Sequence, residues 1–480
     1  IGTRLYHRFG IKNKLTADFF SIKEDRRGGD KFDYPVHEAN ITETVNHALT
    51  TGALTYEQFL RENDLFSVYV SAQRVNRDSY YGSGKSLSDY GNTKDFSYTS
   101  GIQYNAKLGI SNLVVGIAND GAWLEDTKLG YADIDNAIII NDTIISIPHT
   151  DNVVVANQTT NTTGVFAQYE INWDKFKVSA GARYDHYMVD DKENSDSNKS
   201  GNVLSPRLTF KYDIKKYLQA RVSYSQGYRA PQIFDEDLHI ETSGSRRVIH
   251  VNSPDLEQET SHSYMASLDF NKQLAKVHIG LLLEGFYTQL NNPFANEYSE
   301  PDENGTAIYT RINAIGGAKV QGINTELNVV PTDKFSVKAG FTIQNSTYEK
   351  AQEFNEKRFL RTPQDYGYLT LDWQVSKSWG GSATGNYTGK MLVPYFGLQI
   401  PNPEEGELRE SESFLDLGLK ARYNVKLNGA TLQIFTGMKN IFNSYQSDFD
   451  SEIDRDPGYV YGPMNPRTVY FGIKIGNFLQ

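Results

Sequence analysis

The sequence predicts an all-β protein, a transmembrane antiparallel β-barrel with about nineteen strands in this chain. Apolar and polar residues alternate with period two along most of its length, which is the pattern of β-strands. Short turns alternate with long polar loops, as in membrane barrels that have short turns at one rim. No apolar run approaches 18 residues, so the sequence predicts no transmembrane helix.

The period-two pattern is clearest in residues 65–74, 165–173 and 415–425, where aliphatic and aromatic side chains occupy every second position. The predicted strands are about 10 to 14 residues long, whereas strands of soluble proteins average about five or six. A tilted strand needs about 9 to 11 residues to cross a bilayer. Residues 39–60 have a composition that a helix would tolerate, but we interpret them as a strand.

The connections separate a membrane barrel from a soluble sandwich, because loops above about 12 to 15 residues are uncommon in compact soluble domains. Short turns are predicted near residues 10–13, 61–64, 107–111, 173–175, 213–216, 271–275, 331–334, 376–380 and 426–429. Long loops are predicted at residues 24–41, 76–95, 123–162, 189–202, 226–261, 291–316, 346–361, 390–410 and 443–466. The two kinds of connection alternate strictly, which predicts two different rims.

The nine short turns predict eighteen strands, and residues 468–477 add a nineteenth. Bacterial single-chain barrels normally have an even number of strands. The chain also begins at Ile1 without a Met. We therefore expect residues 1–480 to be a partial barrel domain that lacks about three first strands of a 22-stranded barrel.

Composition excludes several classes of function. A formal net charge of −11 disfavours a nucleic-acid partner, because phosphate binding needs a basic surface. The absence of Cys excludes disulfides, thiolate metal sites and cysteine nucleophiles. The sequence has no nucleophile elbow, zinc-protease helix or phosphate loop, and no carboxylate pair that indicates catalysis. It therefore predicts a protein that is not an enzyme.

Several short motifs, in order and at suitable spacing, resemble those of the TonB-dependent transporters of the outer membrane. Residues 227–231 read GYRAP, and residues 252–261 read NSPDLEQETS, which resembles the family's NPDL box with an inserted Ser. Further likenesses are KNIFN followed by Tyr445, the final PRT with Gly472, and the loop sequences at 25–33 and 78–95. The resemblance covers nearly the whole chain.

The resemblance implies a multi-pass barrel in the outer membrane of a Gram-negative bacterium, in contact with membrane lipid. It implies an N-terminal plug domain and a segment that binds TonB, and we expect both to be missing from this chain. The implied function is import of a metal chelate, namely a ferric siderophore, haem or cobalamin. The alternatives are a passive porin, or import of another small nutrient such as an oligosaccharide or peptide.

The long loop at residues 226–261 contains the first candidate ligand-binding residues: Tyr228, Arg229, His239 and His250. In haem receptors of the family a histidine lies between the two boxes, and a neutral imidazole is a good iron ligand. The alternative is that both histidines are simply solvated. Arg229 is suited to anchoring the loop, because a guanidinium can bridge several oxygen atoms.

Aromatic residues of other loops are the second set of candidates, since Tyr80, Tyr81 and Tyr395 could stack on a flat ligand. Their alternative role is in the aromatic girdle of a barrel. The acidic stretches at residues 190–198 and 448–456 could bind a loop calcium ion, although neither has EF-hand spacing. No covalently bound cofactor is predicted, and a surface lipoprotein is an expected further partner.

Overall fold

The fold is that of a computed structural model, which describes residues 1–141, 143–193, 195, 198–232, 247–298, 306–403, 405–453, 455–456 and 458–476. These residues form 26 strands, numbered here in chain order: β1 Gly2–His7, β2 Asn13–Gly29, β3 Ile41–Phe59, β4 Leu65–Ser83, β5 Tyr90–Leu108, β6 Ser111–Lys128, β7 Ile138–Ile140, β8 Thr143–Ser146, β9 Val153–Trp173, β10 Phe176–Asp191, β11 Lys199–Lys215, β12 Leu218–Arg229, β13 Arg247–Asn252, β14 Glu259–Leu274, β15 Val277–Asn291, β16 Phe294–Tyr298, β17 Thr306–Asn313, β18 Ala318–Thr332, β19 Phe335–Tyr348, β20 Asp365–Trp373, β21 Trp379–Thr388, β22 Leu392–Tyr395, β23 Glu407–Glu410, β24 Phe414–Leu427, β25 Ala430–Lys439 and β26 Thr468–Gly476. Two single-turn 3-10 helices lie at Val36–Glu38 and Glu353–Asn355.

One antiparallel sheet contains nineteen of the strands in the described part of the chain, which confirms the predicted strand count. Each strand pairs with the next one along the chain, in the order β1 to β6, β9 to β12, β14, β15, β18 to β21, and β24 to β26. The other seven strands form small sheets inside long connections. Because every pair is antiparallel, successive connections lie at opposite rims, as predicted.

The strands are longer than predicted, because β3, β4 and β5 have 19 residues each and β9 has 21. The predicted loop at residues 76–95 is therefore largely strand, and its connection shrinks to residues 84–89. Polar composition alone predicts a loop here, yet the backbone pairing of β4 with β5 continues to Tyr80 and Tyr90, and side chains such as Arg77 and Tyr80 are buried there. The strand predicted at residues 39–60 is confirmed as β3.

The two faces of β9 show how the wall of the sheet is built. Val165 and Tyr169 are 51% and 46% exposed, so this face points away from the protein as predicted. On the opposite face Glu170 pairs with Lys177 at 2.8 Å and accepts a hydrogen bond from Asn112 at 3.2 Å. Polar side chains thus contact one another on the inner face, while apolar side chains face outward towards lipid.

The outward face of the whole sheet is apolar. Exposed members on other strands include Leu54, Val70, Ile102, Ile117, Leu204, Leu208, Val222, Leu268, Leu283, Ile323, Ile343, Leu419 and Ile473. Soluble monomers rarely expose a contiguous apolar surface above a few hundred Å². A surface of this extent needs a hydrocarbon environment, which a bilayer supplies. Among the described residues, no helix has the length and apolar character needed to span a bilayer.

An aromatic girdle marks the short-turn rim. Phe59, Trp173, Phe176, Trp373 and Trp379 are all exposed and lie at strand ends next to short turns. Aromatic residues form girdles at the boundary between lipid and water in membrane barrels, and the indole of Trp suits this boundary because it joins an apolar ring system to a polar N–H. The girdle therefore places this rim at one membrane interface.

At the long-loop rim the last long connection contacts β3. Arg455, in the connection between β25 and β26, forms an ion pair with Glu43 of β3. Within the described ranges no backbone pairing joins β1 to β26. The expectation of three further strands and a plug stays a prediction.

We expect an arginine at position 167 to destabilise the barrel much more than one at position 168. Ala167 lies on the exposed face, roughly 14 Å above Trp173 for a strand tilted by about 45°. Ala167→Arg should lower the free energy of unfolding by about 2 to 4 kcal/mol, because a charge near the bilayer midplane is desolvated. Gln168→Arg, on the lumen face, is the matched control. Urea unfolding in lipid vesicles measures both, and equal losses would contradict the assignment of faces.

The contact between Glu43 and Arg455 predicts a specific crosslink. The chain has no Cys, so the double variant Glu43→Cys/Arg455→Cys contains a single reactive pair. A short bis-maleimide should join the two positions and accelerate migration of the unfolded chain in a denaturing gel. The control pairs Glu43→Cys with Lys192→Cys, on the exposed connection after β10. Equal crosslinking of both pairs would show that the last long loop does not rest on β3.

Candidate ligand-binding site at the long-loop rim

Two polar cavities lie side by side at the long-loop rim. The first, here called the arginine cavity, has a volume of about 330 Å³ and is lined by Arg229, Arg311 and Arg358. The aromatic and acidic side chains that line it are Phe294, Tyr348, Phe359, Glu353 and Glu356. These residues come from the end of β12, from β16 and β17, from the end of β19 and from the β19–β20 connection. The rim therefore assembles the cavity from separate parts of the chain.

Phe294 forms an aromatic wall of the arginine cavity. The guanidinium carbons of Arg229 and Arg311 lie 5.7 Å and 6.0 Å from the centre of its ring. The Phe294 N–H donates to a carboxylate oxygen of Glu259 at 3.0 Å, and the Tyr348 hydroxyl donates to the Phe294 carbonyl at 3.4 Å. Hydrogen bonds to the N–H and the carbonyl of Phe294 thus hold its backbone in place, and its ring lies next to the Arg229 and Arg311 guanidinium groups.

The third guanidinium of the cavity is held by its own loop. Arg358 donates to Glu356 through Nε at 3.2 Å and Nη2 at 2.9 Å. The N–H groups of Lys357 and Arg358 donate to the other carboxylate oxygen at 2.8 Å and 2.9 Å. The hydrogen bonds from Arg358 are the largest cause that lowers the pKa of Glu356 to about 2. Glu356 therefore stays ionised, and the two hydrogen bonds that Arg358 donates to one of its oxygens hold the orientation of the guanidinium.

The second cavity has a volume of about 340 Å³ and shares Arg358, Phe359 and Thr362 with the first. Lys390 and Glu410 line it and pair with each other at 2.6 Å. The lining of the arginine cavity contains three Arg against two Glu, and so carries a formal charge of +1 in a chain of net charge −11. The arginine cavity is therefore a locally basic recess with aromatic walls.

Tyr395, a predicted stacking residue, lies in a small core of the neighbouring loops. It is 1% exposed and packs with Met391, Val393, Ile400 and Tyr459. Its hydroxyl donates to Asp450 at 3.1 Å, and the Arg409 guanidinium lies 3.5 Å from its ring centre. Burial, together with Asp450, raises the pKa of Tyr395 to about 12. The ring anchors two loops to each other, and its contact with a ligand stays a prediction.

The other predicted tyrosines lie on β4 and β12. Tyr80 of β4 is 2% exposed, donates to the Ser86 carbonyl at 2.8 Å, and packs against the Tyr90 ring at 4.8 Å. Tyr81 follows it and is half-buried. Tyr228 stacks on Tyr187, with 5.9 Å between ring centres. The structure does not bring these three tyrosines into the arginine cavity, and their role in ligand binding stays a prediction.

The loop that follows Arg229 is described only in part. His239 lies outside the described residues, and so does the side chain of His250. The backbone of His250 belongs to β13, which pairs in parallel with β17 and places His250 opposite Tyr309. The strand that carries His250 is therefore next to the strand that carries Arg311. Iron ligation by either histidine stays a prediction.

The acidic loop at residues 448–456 uses its carboxylates on protein donors. Asp448 accepts hydrogen bonds from the hydroxyls of Tyr459 and Tyr461 at 2.9 Å and 2.7 Å. Asp456 accepts one from the Phe396 N–H at 2.7 Å. In the part of the chain that the structure describes, no three His, Asp or Glu side chains are grouped to hold a metal ion. A loop calcium ion stays a prediction.

Sequence reasoning found Arg229 but missed Phe294, Arg311, Arg358 and Phe359. Two local signals were present. The stretch KRFLRTP at residues 357–363 combines basic and aromatic residues inside a long loop, and Asn-Pro-Phe at 292–294 directly follows β15. Neither signal shows which residues of other loops lie nearby, because the cavity depends on contacts between distant segments.

The model of the family "TonB dependent receptor-like, beta-barrel" matches residues 2–441. Among solved structures, the siderophore receptor PiuA from Acinetobacter baumannii is similar with a TM-score of 0.71 and 13% identity, over 99% of this chain and 73% of its own. The FrpB iron transporter from Neisseria meningitidis has a TM-score of 0.70 and 14% identity, over 98% and 70%. The ferripyoverdine receptor of Pseudomonas aeruginosa has 0.69 and 15%, over 99% and 64%.

No curated protein matches the sequence significantly. At these identities the solved structures support the fold alone, whereas the family model covers most of the chain. The antiparallel meander, the apolar outer face and the two different rims agree with that match. The chain belongs to the TonB-dependent receptor-like β-barrel family of the outer membrane.

Proposed function

We propose that this barrel belongs to an active transporter that imports an anionic metal chelate, a ferric siderophore in preference to haem or cobalamin. The observation that carries the proposal is the arginine cavity, where three guanidinium groups and two phenylalanine rings meet at the long-loop rim. This rim is the one that the family pattern places outside the cell.

The charge of the cavity supports an anionic ligand. Guanidinium groups match carboxylate, catecholate and hydroxamate oxygens, because their N–H donors form a planar fork. Hydrogen bonds in which the donor or the acceptor is ionised are about twice as strong as neutral ones. A cobalamin without net charge would make less use of three such groups.

The aromatic walls support a chelate with flat, unsaturated groups. The rings of Phe294 and Phe359 line the same cavity as the guanidinium groups, and aromatic rings pack best against other planar groups. A siderophore with catechol or chromophore rings presents planar groups next to anionic oxygens. The adjacent second cavity gives room for an extended ligand.

Three of the similar solved structures support a metal cargo by their descriptions. They are a siderophore receptor, an iron transporter and a receptor bound to ferripyoverdine. A copper transporter is also similar, at 11% identity and a TM-score of 0.70. Iron is therefore the metal that we propose first, and a ligand screen should also include copper chelates.

Membership of the family supports energy transfer from the inner membrane. In this proposal a plug domain fills the lumen, TonB displaces it, and the barrel contributes no covalent chemistry. We also propose a surface lipoprotein as a further partner of the transporter. A passive porin, or a carrier of oligosaccharides or peptides, would not need the cluster of guanidinium groups.

We expect Arg311→Ala to weaken binding of an anionic ferric chelate. One charge-assisted hydrogen bond contributes about 1.5 to 3 kcal/mol, so the Kd should rise about 10- to 100-fold. Fluorescence quenching of the receptor purified from its host, titrated with ferric catecholate, ferric hydroxamate, hemin and cyanocobalamin, measures the effect.

Two further variants make the test specific. Arg311→Lys keeps the charge but removes the fork, and should lose part of the affinity. Arg26→Ala removes an exposed arginine that pairs with Glu24 at 2.9 Å on the same rim, and should bind as the wild type does. Wild-type affinity in Arg311→Ala, or a preference for cyanocobalamin, would reject the proposed ligand class.

A further inference from the structure

The connection between β6 and β9 carries an exposed apolar hairpin. Residues 134–147, here called the isoleucine hairpin, contain β7 and β8 and seven isoleucines that are each 42% to 60% exposed. They are Ile134, Ile138, Ile139, Ile140, Ile144, Ile145 and Ile147. A loop in water normally exposes polar side chains, so this concentration of one aliphatic residue needs a separate explanation.

The base of the connection is tied together by hydrogen bonds between its two arms. The Thr150 N–H donates to the Tyr131 carbonyl and the Asp133 N–H donates to the Pro148 carbonyl, both at 2.9 Å. The Gly130 N–H donates to the Asn152 side chain at 2.8 Å. These bonds form an ordered stalk that does not use the isoleucines. The isoleucine side chains therefore remain exposed, because the fold of the loop does not depend on burying them.

The hairpin is apolar on both of its faces. Successive strand residues point to opposite faces, so three consecutive isoleucines in β7 make both faces apolar. Ile144 and Ile145 do the same in β8. The two strands form a separate two-stranded sheet, and such a hairpin alone is at best marginally stable in water. Its outer edges offer backbone groups to a further strand, without the charges or prolines that usually protect edges.

Membrane lipid does not fit as the occupant, because the hairpin stands well above the bilayer. Strand β9 has 21 residues and is roughly 70 Å long, or about 50 Å along the membrane normal when tilted by about 45°. The hydrocarbon core takes about 30 Å of this height, measured from the girdle residue Trp173. The hairpin precedes the upper end of β9 and lies outside the hydrocarbon.

A second copy of the chain does not fit either, because the connection is acidic. Residues 129–152 contain four Asp, at positions 133, 135, 142 and 151, and no Lys or Arg. A contact between two such hairpins would place these carboxylates together in a chain of net charge −11. A surface with basic residues around an apolar groove complements the same segment in both shape and charge.

We propose that the isoleucine hairpin is the docking element for a separate cell-surface protein, which accepts it in an apolar groove or at a sheet edge bordered by Lys and Arg. Backbone pairing at β7 or β8 supplies register, and the isoleucines supply the buried apolar contact. The four Asp attract and orient the basic partner, because charges at the edge of an interface act mainly on the rate and specificity of association. This interaction is independent of the arginine cavity.

A photo-crosslinking amino acid at position 139, in the receptor produced in its own host, tests the proposal. The control position is Phe32, which is 61% exposed in another long loop, compared with 60% for Ile139. We expect position 139 to yield one protein adduct that position 32 does not yield. Adducts to a second copy, adducts to lipid alone, or no adduct at position 139 would each overturn the proposal.

The adduct protein is then purified and titrated against receptor variants. Ile139→Ser/Ile144→Ser should weaken its binding at least about tenfold, as is typical of central interface residues. Asp135→Asn/Asp151→Asn should slow association and reduce its salt dependence. Unchanged binding in the isoleucine variant would overturn the proposal. Heat-modifiable migration and chelate binding report folding, and both should match the wild type.

Discussion

The backbone hydrogen-bond ladder is the constraint on which the rest of this structure depends. In a hydrocarbon core each unpaired N–H or C=O costs several kcal/mol, so a membrane strand must be paired on both sides. The antiparallel meander meets this demand for the strands inside the sheet, because each of them pairs with its neighbours in sequence. Side chains then alternate between lipid and lumen, and the composition of each position follows from the face it occupies.

The same ladder sets where function is placed. It continues beyond the bilayer in the long strands β3 to β6 and β9, so the loops begin well above the membrane. At the same rim the shorter strands β12 to β20 bring side chains of distant connections together, as in the arginine cavity. The β6–β9 connection begins at the ends of long strands, and its hydrogen-bonded stalk carries the isoleucine hairpin. The proposed ligand recess and the proposed docking element thus both extend from a single sheet.

Sequence reasoning recovered the parts of the fold that depend on local pattern. Period-two alternation gave the faces of β9, and turn residues gave the short connections, because both are determined within a few residues. The upper ends of the strands were placed too low, since polar residues in water are compatible with strand and loop alike. Arg229 was found through a short motif. Its partners Phe294, Arg311 and Arg358 were not, because they become neighbours only through the register of β12 to β20.

The most direct test of the account is the environment of each residue along β9. The chain has no Cys, so single cysteines at positions 165 to 171 can be spin-labelled without background. Collision rates with oxygen and with a water-soluble nickel chelate report lipid and water, respectively. The account predicts that odd positions favour oxygen and even positions favour nickel, with a period of two. Uniform values, or the opposite phase, would contradict an outward apolar face and a polar lumen.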